Sequence, residues 1–315
     1  MFCHHPRESD DSIILSLCVT DHMMCVTNNM LLIAALLASP FTDALAPSTA
    51  GVGLRLRSTA TSRWARVGPL RMGWGDDVEF KTAKVLKNEE AAKGMRSITV
   101  EAGDDILSAY TVPGQFVQIK ETDDSKAGFY AIASAPGATP GVCEFLIKES
   151  EGNDWSPGNL WLCSAAAGSE LIMSPAMGNG FKVDEKLGGD VTDVLLFAAG
   201  SGISPIRSAI ESGKLAAKSS VTLYYGAREP ALMAYMDKFG AWEDVGVKVV
   251  PVLSQGGDGW EGRAGYVQAA LREDIAGLAP AKTGALMCGM KGMAEDVKTT
   301  LAEAGVDEEK ILTNF

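Results

Sequence analysis

The stretch Val191–Gly213, VTDVLLFAAGSGISPIRSAIESG, constrains this chain more than any other. Val194–Ala199 is a short apolar run, the pattern of a strand covered on both faces. Gly200 and Gly202 then open the backbone. Ser204 suits a helix N-cap and Pro205 the first helical position, where the N–H that proline lacks has no intrahelical acceptor. Ile206, Ala209 and Ile210 give the helix an apolar stripe, and Gly213 fits the residue just past its end. Strand, glycine turn and helix start together aim free amide donors and a positive dipole end at one point, a natural site for a diphosphate. A tight turn without a ligand is the alternative reading of two glycines; the strand before and the helix after favour a nucleotide. The residues expected to hold it are Gly200, Ser201, Gly202, Ile203, Ser204 and Pro205.

Beyond this unit, strand patterns at Val221–Tyr225, Val247–Leu253, Ala285–Cys288 and Lys310–Thr313 alternate with helical patterns at Met233–Trp242, Tyr266–Arg272 and Met290–Ala304. That alternation predicts a five-stranded parallel α/β sheet, Rossmann-like, over residues 190–315. Ligands on such sheets sit past the carboxyl ends of the strands, where Gly200, Gly226, Arg228, Ser254 and Cys288 fall. Upstream, Val78–Leu86, Ser97–Glu101, Gln115–Ile119, Tyr130–Ser134, Cys143–Ile147 and Glu170–Met173 are short apolar runs divided by turn residues. They predict an antiparallel β-barrel or sandwich over residues 77–181, hence an α+β chain of two domains.

Residues 1–72 read as a targeting leader rather than as fold. Met30–Ala38 is apolar but too short to span a bilayer, and Ala50–Arg71 carries five Arg, many Ser and Thr, no Lys and no acid. An apolar signal followed by a transit-like stretch predicts import to the plastid stroma through a two-part leader, with the mitochondrion as the alternative. The remainder contains no stretch of membrane-spanning length. A net charge of −12 argues against nucleic acid as a partner. Cys143, Cys163 and Cys288 lie far apart, with neither metal nor iron–sulfur spacing.

PGQFVQIK (Pro113–Lys120), YAIAS (Tyr130–Ser134), EFLIK (Glu144–Lys148) and MGNGF (Met177–Phe181) resemble, in order and spacing, the ferredoxin–NADP reductase superfamily. GSGISPIRS, YYGAR, VKVVPVLSQ, the DGW segment running into GYVQAA, and the terminal Asn-Phe are most similar to its plant plastid "fruit protein" branch. The resemblance implies a six-stranded barrel that binds FAD beside an NAD(P)-binding sheet. It implies that Tyr130 stacks on the flavin ring and that Ala131, Ile132, Ala133, Ser134, Ile147, Lys148, Gly158 and Asn159 help to hold the cofactor. It also implies that Cys288, with Gly289 and Met293 in a Cys-Gly-x-x-x-Met turn, lies against the nicotinamide, and that Phe315 covers the flavin. Arg228, with Lys291 assisting, is placed to clamp a 2′-phosphate, favouring NADP over NAD.

Two departures stand out. The superfamily's Arg-x-Tyr-Ser becomes Gly128-Phe129-Tyr130-Ala131, and its Gly-x-x-Ser/Thr becomes Gly158-Asn159-Leu160-Trp161. Loss of a charge-assisted Arg contact removes about 1.5–3 kcal/mol from a phosphate, and Lys126 can answer it only as a point charge. The implied function is a flavin-dependent NAD(P)H oxidoreductase, with Tyr130 and Cys288 at the reacting rings and an unidentified small-molecule or protein electron acceptor. The rival readings are an electron-transfer subunit of a larger complex and a non-catalytic nucleotide-binding module.

Overall fold

The computed structural model describes residues 78–314, so the expectations for residues 1–72 and for Phe315 lie outside the described residues. Strands β1 (Lys81–Ala92) and β2 (Met95–Glu101) form a hairpin closed by Lys93-Gly94, with Gly94 at φ 68°. A short α1 (Asp104–Leu107) leads to β3 (Phe116–Lys120), β4 (Gly128–Ala131) and β5 (Val142–Lys148). Helix α2 (Asn159–Ser164) and β6 (Glu170–Met173) complete this half. The six strands pair antiparallel in the order β4-β3-β6-β1-β2-β5. A bridge between Ile132 and Phe145, with the Ala133 amide on the Glu144 carbonyl at 2.7 Å, joins the first strand to the last and closes the sheet into a barrel. Alternate residues such as Val85, Ile98, Val117, Phe145 and Leu171 are fully buried inside it, each stabilising the fold by about 1.5–3 kcal/mol.

β1 runs six residues beyond the predicted Leu86, through the polar segment Lys87–Glu90. What holds that extension is visible at Asn88. Its Nδ2 donates to the carbonyls of Cys163 (3.0 Å) and Ala165 (2.8 Å), satisfying groups that the end of α2 leaves without partners. Arg96 in turn donates to Asn88 Oδ1 at 2.8 Å.

After α3 (Val183–Lys186), the chain alternates β7 (Asp193–Ala199), α4 (Ile203–Glu211), β8 (Ser220–Ala227), α5 (Phe239–Asp244), β9 (Val247–Leu253), β10 (Arg263–Ala264), α6 (Val267–Asp274), β11 (Thr283–Cys288), α7 (Lys291–Glu303) and β12 (Ile311–Thr313). The sheet is parallel throughout, in the order β10-β9-β8-β7-β11-β12. Central strands β7 and β11 are buried on both faces, which is why they appear in the sequence as unbroken apolar runs. The two-residue β10 is a sixth strand that the five-strand expectation missed. The helix expected over residues 233–242 forms only from Phe239, after a 3₁₀ turn at Met236–Lys238, because Tyr235 takes a left-handed φ of 62°.

The halves share a core. Met95, Leu146 and Phe181 of the first half pack in one cluster with Leu196, Ile206 and Tyr225 of the second. The hairpin tip adds a further link: the Lys93 amide donates to the Ala231 carbonyl at 2.8 Å, and Lys93 Nζ lies 3.6 Å from Glu229. Among the described residues, no helix is long and apolar enough to cross a membrane.

Candidate functional site

The carboxyl ends of the parallel strands face the outer ends of β4 and β5 across one cleft of about 1120 Å³. At the end of β7, the two glycines serve different needs. Gly200 has φ 55°, a conformation that costs other residues, and open space where a side chain would stand. Gly202 has an ordinary helical φ of −62°, but a Cβ there would lie 2.3 Å from the Cys288 carbonyl oxygen. Its smallness therefore lets the turn after β7 meet the end of β11.

Helix α4 begins two residues earlier than expected. Gly202, not Ser204, occupies the N-cap position, and Ser204 sits inside the first turn, 2% exposed. Its hydroxyl is drawn off to the other half of the molecule, donating to the Ala131 carbonyl at 3.1 Å. The proline remains compatible with the helix because first-turn amides need no intrahelical acceptor. Gly213, at φ 73° after the cap residue Ser212, ends the helix as the sequence indicates.

Of the residues singled out from sequence, Gly200, Ser201, Gly202, Ser204, Pro205, Gly226, Arg228, Cys288, Gly289 and Met293 line the cleft from the parallel sheet. Tyr130, Ala131, Ile147, Lys148 and Asn159 line it from the barrel. Ile132, Ala133 and Ser134 stand behind that wall, buried, as does Ile203 at the base of α4. Gly158 is off the wall too, as the N-cap of α2. Lys126, the candidate replacement for the missing Arg, is 3.3 Å from Asp154 and is not part of the lining. Lys291 is 3.6 Å from Glu295 and exposed.

Tyr130 explains the glycine two residues before it. A Cβ on Gly128 would lie 2.7 Å from the Tyr130 hydroxyl, so no side chain fits at 128 while the ring holds this position. The hydroxyl itself is buried at the cleft with no hydrogen-bond partner among the described residues, and so is Asn159 Oδ1. Unsatisfied buried polar atoms are rare, and such atoms at a cavity wall fit a ligand that supplies the missing bonds. These orphans, with the cleft volume and the cations Lys148 and Arg228 along it, fit a flavin dinucleotide. Burial raises the Tyr130 hydroxyl well above the usual tyrosine value, leaving it a neutral donor. Burial likewise pushes the Cys288 thiol up to about 12, so at neutral pH it packs as a thiol and is no nucleophile.

Sequence reasoning missed Lys93 from the hairpin tip and the rim residues Tyr266 and Met290, which are 59% and 64% exposed. Tyr266 precedes α6 directly after Gly265 at φ 100°, so a glycine-aromatic pair opening a helix at the sheet's carboxyl edge was the available signal. Met290 occupies the matching place before α7.

Residues 196–299 match the family model described as an oxidoreductase NAD-binding domain. The chain is 34% identical over 233 residues to "Fruit protein pKIWI502" of Actinidia deliciosa, covering 70% of this chain and 72% of that protein. It belongs to the ferredoxin–NADP reductase superfamily, on the fruit-protein branch. Superfamily membership extends to more distant likenesses. One subunit of the Na(+)-translocating NADH-quinone reductase of Serratia proteamaculans is 23% identical over 257 residues, and the match spans 77% of this chain but only 62% of that relative. Among solved structures, a ferredoxin NADP+ reductase from Neisseria gonorrhoeae with bound FAD and NADP superposes at TM-score 0.65 with 20% identity, covering 75% of this chain and 98% of that one. The CS-b5R domains of human Ncb5or give 0.63 with 19% identity, over 76% and 70%. These structures share the fold, with six antiparallel strands beside a parallel sheet.

Proposed function

We propose that the protein is a flavin-dependent NAD(P)H oxidoreductase. The observation that carries this reading is the single cleft in which Tyr130, with its unsatisfied hydroxyl, faces the glycine turn of Gly200–Gly202 and the end of β11 at Cys288. Flavin bound there supplies the two-electron acceptor for a nicotinamide hydride. The chain's own work is geometric. Tyr130 presents a flat aromatic wall and one neutral donor. The turn after β7 directs its amides at a diphosphate. Cys288 and Gly289 form a small, close wall against which a nicotinamide ring can lie. Chemistry of that kind would call on no side chain to act as a base. Arg228, exposed at the end of β8, favours NADPH through its 2′-phosphate. The acceptor is a small molecule or a protein. Plastid import is proposed on the Ser-, Thr- and Arg-rich composition of residues 50–71.

The test is the absorbance of purified protein, followed anaerobically with NADPH and with NADH. A yellow protein bleached by NADPH supports the reading, and Arg228→Ala is expected to raise the KM for NADPH about 10- to 100-fold while sparing NADH. A colourless protein that binds NADPH but takes up no FAD supports instead a nucleotide-binding module, the alternative that the glycine at 128 and the alanine at 131 favour.

A further inference from the structure

Helix α4 is buried on every side from Ile203 to Ile210, including Ser204, Arg207 and Ser208. Its apolar side packs on the parallel sheet, so its polar side must face something other than water. That something is the barrel. Ser204 donates to the Ala131 carbonyl, next to Tyr130. One turn on, the Tyr110 hydroxyl donates to the Ser134 carbonyl at 2.6 Å, which leaves Ser208 to donate to Tyr110 at 2.6 Å. Between them Arg207 reaches Glu144 of β5 at 2.5 Å and is held from behind by Glu211 at 2.9 Å. Glu211 is itself fixed by Trp242 Nε1 at 3.3 Å. The Tyr235 ring lies 4.7 Å under the guanidinium. Tyr235 is also the sole non-glycine residue with positive φ among the described residues, a conformation that persists only where the surroundings enforce it.

We infer that Arg207, clamped between Glu144 and Glu211 over Tyr235 and flanked by Ser204 and Ser208, is a positioning residue that fixes the flavin-facing strand against the diphosphate-binding helix tip. The inference rests on the proposed redox reading for its effect on rate, but the linkage itself does not. The polar contacts from this face to the barrel join α4 directly to residues 131 and 144, and through the Tyr110 hydroxyl to residue 134, in the segment that carries Tyr130 and the strand paired with it. The same helix starts at Gly202, which meets the Cys288 carbonyl. One rigid rod thus touches the walls meant for both rings. A shift of about 1 Å between such walls slows transfer on the order of 100-fold without unseating either ligand.

The experiment uses Arg207→Met, Arg207→Lys and Ser204→Ala in the otherwise intact chain. Four quantities are read below the melting temperature of each: the FAD and NADPH dissociation constants, the rate of flavin bleaching at saturating NADPH, and amide hydrogen exchange. In Arg207→Met the bleaching rate is expected to fall about 10- to 100-fold with both dissociation constants within about twofold of wild type. Arg207→Lys recovers part of the rate, and Ser204→Ala, a milder change that spares the buried ion pair, shows a smaller loss. In flavin-free protein, exchange is expected to rise together in residues 131–134 and 200–203 of Arg207→Met. A folded Arg207→Met with wild-type bleaching rate, or with faster exchange confined to α4, overturns the inference. Coupled exchange in Arg207→Met of a protein whose wild type takes up no flavin upholds the linkage and overturns the redox reading instead.

Discussion

One methyl group, added at three glycines, is expected to act in three ways. At Gly202 the backbone is helical, so conformation costs alanine nothing, but its Cβ would fall 2.3 Å from the Cys288 carbonyl oxygen and 2.7 Å from its carbon. Both are main-chain atoms at the end of β11, held by pairing with β7 and β12, and neither can swing aside as a flexible side chain would. Forced overpacking of this kind costs about 1–3 kcal/mol, which in a protein of this size lowers the melting temperature by roughly 3–10 °C. At Gly200 there is room for a methyl group, but φ is 55°, so alanine meets the left-handed penalty of about 1–2 kcal/mol. At Gly240, in α5, space is open and the conformation helical, and alanine gains about 0.5–1 kcal/mol. Melting temperatures should therefore rank Gly240→Ala above wild type and both cleft variants below it. Titration of Trp fluorescence with NADPH should show weakened binding in Gly202→Ala and none of that loss in Gly240→Ala. A Gly202→Ala protein with wild-type melting and affinity would refute the argument, since it would mean that the two strand ends part at no cost.

Tyr130→Phe removes a buried hydroxyl that has no partner among the described residues. Flavin-free protein should melt higher by the equivalent of about 1 kcal/mol while FAD dissociates faster; a lower melting point would show that the hydroxyl is already satisfied. Asn88→Ala takes away the donor to the end of α2 and strands Arg96, and urea unfolding should record a loss of about 1–3 kcal/mol. Burial raises the thiols of Cys163 (up to about 11), Cys288 (up to about 12) and Cys143, and the hydroxyls of Tyr110 and Tyr225. The native state therefore keeps protons that the unfolded chain releases from about pH 9 upward, and stability falls as pH rises through that range, with no slope from these groups between about pH 6 and 8. Melting temperatures that stay level to about pH 11 would contradict this assignment.

The parallel sheet was legible because stretches such as Leu195–Ala198 and Ala285–Met287 are covered on both faces and so are written without polar interruption. The far half of β1 was not, since Lys87–Glu90 pair with β2 through the backbone while their side chains answer to α2 and solvent. Ser204 shows a deeper limit. A serine at a helix start has the same spelling whether its hydroxyl caps its own helix or bonds a carbonyl in the other half of the molecule. The polar side of α4 could be recognised in the sequence, but whether water or a barrel faces it is decided by the docking of two halves. Periodicity carries no information about that. The shift of the predicted helix start from Met233 to Phe239 has a similar origin, in a tyrosine bent into an unfavourable conformation by its neighbours.

The hairpin tip has a consequence for traffic. Lys93 ties the barrel to the loop at Ala231, well apart in sequence from the contacts made by α4. Two bodies pinned at two separate places retain at most a swivel about the line through the pins, so they cannot part like the covers of a book. A dinucleotide bound as proposed would then leave over the brim, past the exposed side chains of Tyr266 and Met290, and its replacement would enter the same way.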